Sequence, residues 1–395
     1  MNIKQKYLDY FSKIEKENEK IKAYKTITKT EAMEALENNK NPFPVVFADQ
    51  ISTKGIKTTA NSKMLENYIP PFDATVVEKV KQAGGVILGK TITREFGVGK
   101  TENSYGTCAA VAHSENITGF SSGYKGLMHA GAQKNGLFAY IPTFGLISRY
   151  GLISVASSLD GIGIIAKSFA NIQNALDIVT GKDEKDSASH SSDVDFSHLE
   201  DIDLSEQKVA SINKLENFAD VEEFLAKINV PIDEVTIKGL EYAMPTHEII
   251  SSGEFATNME KFDGIGFGYR SEDYKNIEEL YKNSRTEGLG MAVQQKIMFG
   301  NFVLSEGKYE EYYVQALKAR TMIKENLEQE IKNYEFLIAP INLYYAAGFN
   351  LAGLPSISIP FGIEGLLITT RAFNDKRLLE FSKKIVSKLA GENSW

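Results

Sequence analysis

Between residues 3 and 21 apolar side chains return every three or four positions, at Tyr7, Tyr10, Phe11 and Ile14, with charged residues between them. That period predicts a helix with one buried stripe, and with a second short helix over Lys29 to Asn38 it makes residues 1–40 an N-terminal helical arm. Asn41-Pro42-Phe43-Pro44 halts helical structure, because each proline disfavours the helical conformation in the residue before it. The next run, Val45-Val46-Phe47-Ala48, is apolar without alternation and predicts a strand covered on both faces. Asp73 is expected to cap a helix reaching Gln82 with Val76, Val77 and Val80 turned inward, and Gly84-Gly85 to end it before a strand Val86 to Gly89.

Farther along, Lys167 to Thr180 gathers Phe169, Ile172, Ala175, Leu176 and Val179 on one helical face, with Gly181 just past the end. Shorter helices are predicted at Asp220–Ile228 and Asn276–Ser284. The longest is expected from Ser305 to Lys332, with a stripe of Tyr309, Tyr313, Ala316, Ile323, Leu327 and Ile331. Phe336–Pro340, Ser356–Pro360 and Leu366–Thr370 have the apolar, β-branched character of strands, the last two joined as a hairpin through Gly362–Gly365, and a helix Asp375–Leu389 closes the chain. Strands spread over the whole length, without a mid-chain linker, predict one α/β domain over residues 1–395.

Residues 182–207, rich in acids and serines, form a polar surface loop within that domain. His190 and His198 stand in it at irregular spacing among solvated charges and predict no metal site. Composition narrows the function classes. With 395 residues, 43% hydrophobic and 24% charged, the chain has material for a large core, and its formal net charge of −8 argues against a surface that binds DNA or RNA through phosphate neutralisation. RNA, where it is met at all, is expected to be held by a partner. A single cysteine, Cys108, and five scattered histidines give neither a disulfide nor metal-ligand spacing, and no cofactor is expected. The first twenty residues lack the apolar core of a secretory signal and no apolar run reaches the length of a membrane span, so a cytoplasmic location away from membranes is expected.

Small residues, turns and hydroxyls concentrate between Ser114 and Gly163. Within that stretch Gly119-Phe120-Ser121-Ser122-Gly123 permits a tight turn that aims hydroxyls and amides at one point. Ser122-Gly123-Tyr124-Lys125 also matches the S-x-x-K spacing of penicillin-binding enzymes, but the companion motifs are absent. Gly264-Ile265-Gly266-Phe267-Gly268 lacks the preceding strand and following helix of a phosphate loop.

Several longer stretches resemble the amidase signature family, and within it the A subunits of glutamyl-tRNA(Gln)/aspartyl-tRNA(Asn) amidotransferases. They are Ser52 to Thr59, Pro70 to Thr91, Thr101 to Ser104, Ser148 to Gly163, Phe262 to Arg270 and Asn350 to Pro360, in the family's order and over nearly all of the chain beyond residue 40. The resemblance implies an α/β amidase-signature fold, with a mixed central sheet covered by helices on both faces. It also implies an amidase site of three residues: a lysine, a bridging serine and a nucleophilic serine. In such a site a buried neutral lysine activates the nucleophile through the bridging serine, and backbone amides stabilise the oxyanion.

Matched residue by residue, the family's lysine, in a run like P-V-A-I-K-D-N, falls on Ala48 of Pro44-Val45-Val46-Phe47-Ala48-Asp49-Gln50, and a methyl group cannot accept a proton. The bridging serine of G-G-S-S-G-G falls on Ser121, but the flanking glycines have become Phe120 and Tyr124; Ser122 and Gly123 remain as the substrate-binding remnant. The nucleophile's segment, D-T-G-G-S-I-R, should precede the landmark that is here Gly136 to Gly145. Only Tyr124 to Asn135 stands there, without a serine. An arginine that the family places before I-M-L-G falls in Gln294-Gln295-Lys296-Ile297-Met298, and the acid expected ahead of Asn350 is missing from Asn342 to Phe349.

Three functions follow. The first is a non-catalytic pseudo-amidase that binds B- or C-type amidotransferase subunits. The second is an active A-type amidotransferase chain, hydrolysing glutamine to supply ammonia for Gln-tRNA formation, in which Lys125, Lys134 or His129 replaces the lost base at Ser121 or Ser122. The third is a free-standing small-amide hydrolase.

Overall fold

In the computed structural model the described residues are 2–37, 39–99, 101, 103–191, 194–212, 219–362 and 365–392. Asn38 at the expected end of the second helix, Glu102 in the Thr101–Ser104 motif, Ser192 and Asp193 in the polar loop, and Ile363-Glu364 in the expected hairpin turn lie outside them. The fold is α/β with a mixed sheet flanked by helices.

One compact unit comprises Met1–Ser122, Arg149–Asp160 and Ile249–Val314. Its strands are β1 (Tyr24–Ile27), β2 (Phe43–Ala48), β3 (Gly85–Thr91) and β4 (Thr118–Ser122). β2 lies between β3 and β4, parallel to both, and β1 pairs antiparallel with β3 on the other side. Val45, Val46, Phe47 and Ala48 are wholly buried, which explains a run without alternation, and removing a Val or Phe side chain of this kind from water contributes about 1.5–3 kcal/mol. The helix Ile3–Ile21 forms as its period predicts, with Tyr7, Tyr10, Phe11 and Ile14 buried and the Asn2 side chain accepting the Lys4 amide.

The other unit comprises Gly123–Ser148, Gly161–Glu248 and Gln315–Trp395. It holds β5 (Phe138–Ile141), β6 (Ile162–Ala166), β7 (Val209–Ile212), β8 (Ile232–Val235), β9 (Phe336–Pro340), β10 (Ser356–Ile359) and β11 (Leu366–Thr369). Their order is β6-β5-β10-β11-β9-β7-β8. The contacts are antiparallel from β6 to β9 and parallel from β9 to β8. The Phe336 ring stacks on Phe381 of the C-terminal helix Asp375–Glu392 at 4.1 Å, fixing that helix on the sheet. The helix Phe169–Val179 buries the five predicted residues and is capped by Ser168, whose hydroxyl accepts the Asn171 amide.

Two local expectations are corrected. Asp73 does not cap the helix Thr75–Gln82; Ala74 stands at that position, and the Asp73 carboxylate instead accepts from the Lys54 amide and pairs with Lys81. The long helix does not start at Ser305. Met291–Leu304 ends there, Gly307 takes a left-handed φ of 74°, a wider turn covers Tyr309–Tyr313, and regular α-helix resumes over Val314–Asn333. The buried stripe therefore begins at Ala316 and continues through Ile323, Leu327 and Ile331, whereas Tyr309 is exposed.

Candidate functional site

The carboxyl ends of parallel strands are where open α/β sheets bind ligands, and in the first unit those ends are Ala48, Thr91 and Ser122. The register pairs Phe47 with Phe120, so Ala48 and Ser121 stand side by side one step farther on. Beneath them the Phe47 and Phe120 rings stack at 5.0 Å. Ala48 is wholly buried and Ser121 half-buried, and no side chain among the described residues hydrogen-bonds to the Ser121 hydroxyl. Ser122, the last residue of β4, is also half-buried. In the second unit the Gly123 amide is engaged by the Gly161 carbonyl at 2.8 Å and cannot serve an oxyanion.

A buried lysine exists in the first unit, one strand away. Lys90 of β3 pairs with Phe47, and the next residue, Thr91, pairs with Ala48. Because successive side chains leave a strand on opposite faces, Lys90 departs on the face away from Ala48 and Ser121. Its ammonium donates to the Ile51 carbonyl and to the hydroxyls of Thr53, at 2.9 Å, and Thr58, at 3.2 Å. Burial pulls its pKa down to about 7, with the Asp49 carboxylate opposing that shift. Asp49 accepts from the Thr59 hydroxyl and amide and from the Asn61 amide, yet its pKa lies above the usual carboxylate range because desolvation outweighs these bonds and Lys90. Lys90 thus has the low basicity that amidase chemistry asks of a lysine but holds the loop after β2. The signal for it was present in Val86-Ile87-Leu88-Gly89-Lys90, a cation at the end of an otherwise apolar run.

Between about pH 7 and pH 10.5 unfolded Lys90 binds a proton that the folded protein releases, so raising pH there stabilises the fold. Urea midpoints should climb from pH 7 to about 9, below the range where phenols ionise, with a slope of at most about 1.4 kcal/mol per pH unit. Lys90→Met should remove that slope; a climb of equal size in the variant would assign it elsewhere.

The three side chains expected to replace the lost base were Lys125, Lys134 and His129. In the second unit Lys125 pairs with Glu248 at 3.0 Å. His129 is fully buried, its Nδ1 is 3.0 Å from the Ser358 hydroxyl and its Nε2 2.9 Å from that of Ser356, and burial pushes its pKa down to about 3. Both ring nitrogens are matched, so neither serves as a free base. Lys134 ends the helix Leu127–Lys134, which occupies the short segment where the nucleophile was sought. Tyr124, in place of a glycine, is buried with its ring 5.0 Å from that of His247.

Lys296, at the position of the expected arginine, is 5% exposed in the first unit and donates to Ser251 and Ser252, each at 3.0 Å. In the second unit Asn342, in the stretch without an acid, caps the helix Leu343–Ala352 through the Tyr344 and Tyr345 amides.

The family model described as Amidase matches residues 7–131 and 132–347. The chain belongs to the amidase family. Among amidase-family relatives, it is 35% identical to the A subunit of the glutamyl-tRNA(Gln) amidotransferase of Halothermothrix orenii, over 94% of this chain and 90% of that protein. It is 36% identical to the protein of the same name from Sulfolobus acidocaldarius, over 86% of this chain and 84% of that one. Of solved amidase-family structures, the A subunit of the glutamyl-tRNA(Gln) amidotransferase of Thermotoga maritima superposes with a TM-score of 0.77 at 27% identity, covering 96% of this chain and 90% of that one. The peptide amidase of Stenotrophomonas maltophilia, at 18% identity and a TM-score of 0.80 over 98% of this chain and 94% of that one, shares the fold. No helix among the described residues is long and apolar enough to cross a membrane.

Proposed function

We propose that this amidase-family chain is a non-catalytic A-type amidotransferase subunit that acts by binding B- or C-type subunits in the cytoplasm and meets tRNA only through such a partner. The observation that carries the proposal is the pair Ala48 and Ser121 on adjacent strand ends: an alanine stands where the base should be, beside a serine hydroxyl that no described side chain activates. Relatives named as amidotransferase subunits match almost the full chain, which supports a role among such subunits. Ser122 and Gly123 remain as the substrate-binding remnant, and a formal charge of −8 favours tRNA binding through a partner over direct phosphate contact.

Affinity purification of the tagged chain from its native source should co-purify a B- or C-type amidotransferase subunit, or an A-type chain with an intact site. Recovery only as a free monomer, under conditions in which a known amidotransferase from the same cells stays assembled, would defeat the proposal.

A further inference from the structure

The first unit contains a cavity of about 850 Å³, lined by Lys63–Tyr68, Gly151–Ile153, Lys261, Phe262 and Gly266–Arg270, with Ser52 and Phe72 completing it. This volume lies within the range of sites for small organic ligands. Its walls present the rings of Tyr68, Phe72, Phe262, Phe267 and Tyr269. Phe267 is 67% exposed, a large apolar ring held at the mouth with nothing covering it.

The loop that carries Phe267 is built to stay in place. One Asp263 carboxylate oxygen accepts the amides of Ile265, Gly266 and Phe267, the Gly264 amide donates to the Phe267 carbonyl, and the Tyr269 amide donates to the Met64 carbonyl across the cavity wall. Gly268 has a left-handed φ of 89°, and a Cβ there would strike the Met64 sulfur at 2.3 Å. Phe267 is thus presented by a preorganised turn, which lowers the ordering cost of any ligand that stacks on it.

Charge identifies the ligand class. Among the residues that line the cavity, Lys63, Lys261 and Arg270 face a single carboxylate, Glu66, in a protein of formal charge −8. None of the three cations makes an ion pair among the described residues: Lys63 lies 3.9 Å above the Tyr269 ring, Lys261 5.1 Å from the Phe262 ring centre, and Arg270 donates to the Tyr274 hydroxyl. Two carboxylates stand near this group outside the lining: Glu287, which interacts electrostatically with Lys63 and accepts from the hydroxyls of Tyr269 and Ser271, and Asp263, which accepts the amides of its own turn. Rings on the walls suit a planar ring, and three lining cations facing one lining carboxylate suit a phosphate monoester better than a carboxylate.

We propose that this cavity is a binding site for an aromatic phosphomonoester of the size of a nucleoside monophosphate, its ring stacked against Phe267 and Tyr269 and its phosphate held by Lys63, Lys261 and Arg270. This site lies wholly within one unit and stands whether or not the chain has amidase activity.

Calorimetric titration of the full chain with AMP and with phenyl phosphate tests it, with adenosine and inorganic phosphate as the separated halves. At least one of the two esters should bind saturably, about tenfold or more tighter than either half. Lys63→Ala and Arg270→Ala should each weaken that binding about tenfold, and Phe267→Ala should weaken it without shifting the unfolding midpoint. The proposal is overturned if neither ester saturates by about 10 mM, if inorganic phosphate alone binds as tightly as the esters, or if both cation variants bind like the parent.

Discussion

Incubated with glutamine, asparagine or simple amides, the purified chain is expected to release no ammonia above the uncatalysed background. A serine hydroxyl becomes a useful nucleophile only when a base removes its proton, and in hydroxyl-based acyl transfer the loss of the nucleophile or its base costs on the order of 10⁶-fold in kcat. On the proposed reading both changes coincide: Ala48 offers no lone pair, and the segment from Tyr124 to Asn135 contains no serine. Lys90 lies on the opposite face of its sheet, Lys125 pairs with Glu248 and His129 sits between two serines. Ser121→Ala should therefore be silent in any amidase assay, and Ala48→Lys should not create turnover, because it restores a base without a nucleophile. Turnover abolished by Ser121→Ala would show that the site had been rebuilt by other residues. The same reasoning makes a reconstituted amidotransferase complex containing this chain dependent on added ammonium and indifferent to glutamine.

Asp375→Ala should lower stability by about 3–5 kcal/mol, because three buried donors lose their acceptor. Its buried carboxylate accepts from the Tyr140 hydroxyl at 2.8 Å, the Thr143 amide at 3.0 Å and the Thr143 hydroxyl, so it ties the start of the C-terminal helix to the end of β5. Burial holds its pKa above the usual carboxylate range despite those bonds, which shows that desolvation dominates there. Truncation would leave a buried phenol and a buried amide without acceptors, a larger loss than the bonds themselves contribute. Asp375→Asn, which keeps one carbonyl acceptor, should cost less than half as much. Urea unfolding of the three proteins gives the comparison; an alanine variant within about 1 kcal/mol of the parent would refute this assignment.

Elements with a strong period were legible from sequence, and those governed by distant contacts were not. β2, β3, β9, β10 and β11 lie where continuous apolar runs predicted strands, and the helix Phe169–Val179 lies where its stripe placed it. Unpredicted β1 and β8 are four-residue edge strands with half-exposed positions and no run long enough to show alternation. The helix Leu343–Ala352 escaped for the opposite reason: apolar nearly throughout, it shows no preferred face. Asp73 looked like a cap because short acids favour that position, but the Lys54 amide and the Lys81 ammonium compete for the same carboxylate. At the candidate site, motif matching pointed to Ala48 and Ser121, which the register sets side by side, whereas the commitments of Lys90 and His129 depend on strand faces and burial that no local pattern encodes.

The short helix Leu127–Lys134 has a consequence for the history of the chain. His129 lies in the interior, where Ser356 and Ser358 on β10 match its two nitrogens. To regain a nucleophile segment, a descendant would have to insert residues ahead of β5 and at the same time extract that imidazole, leaving two interior hydroxyls stranded. On the proposed reading such a change carries the cost of two buried hydroxyls without partners, which no single substitution offsets, so the surfaces of the protein are the part that point mutation can reshape.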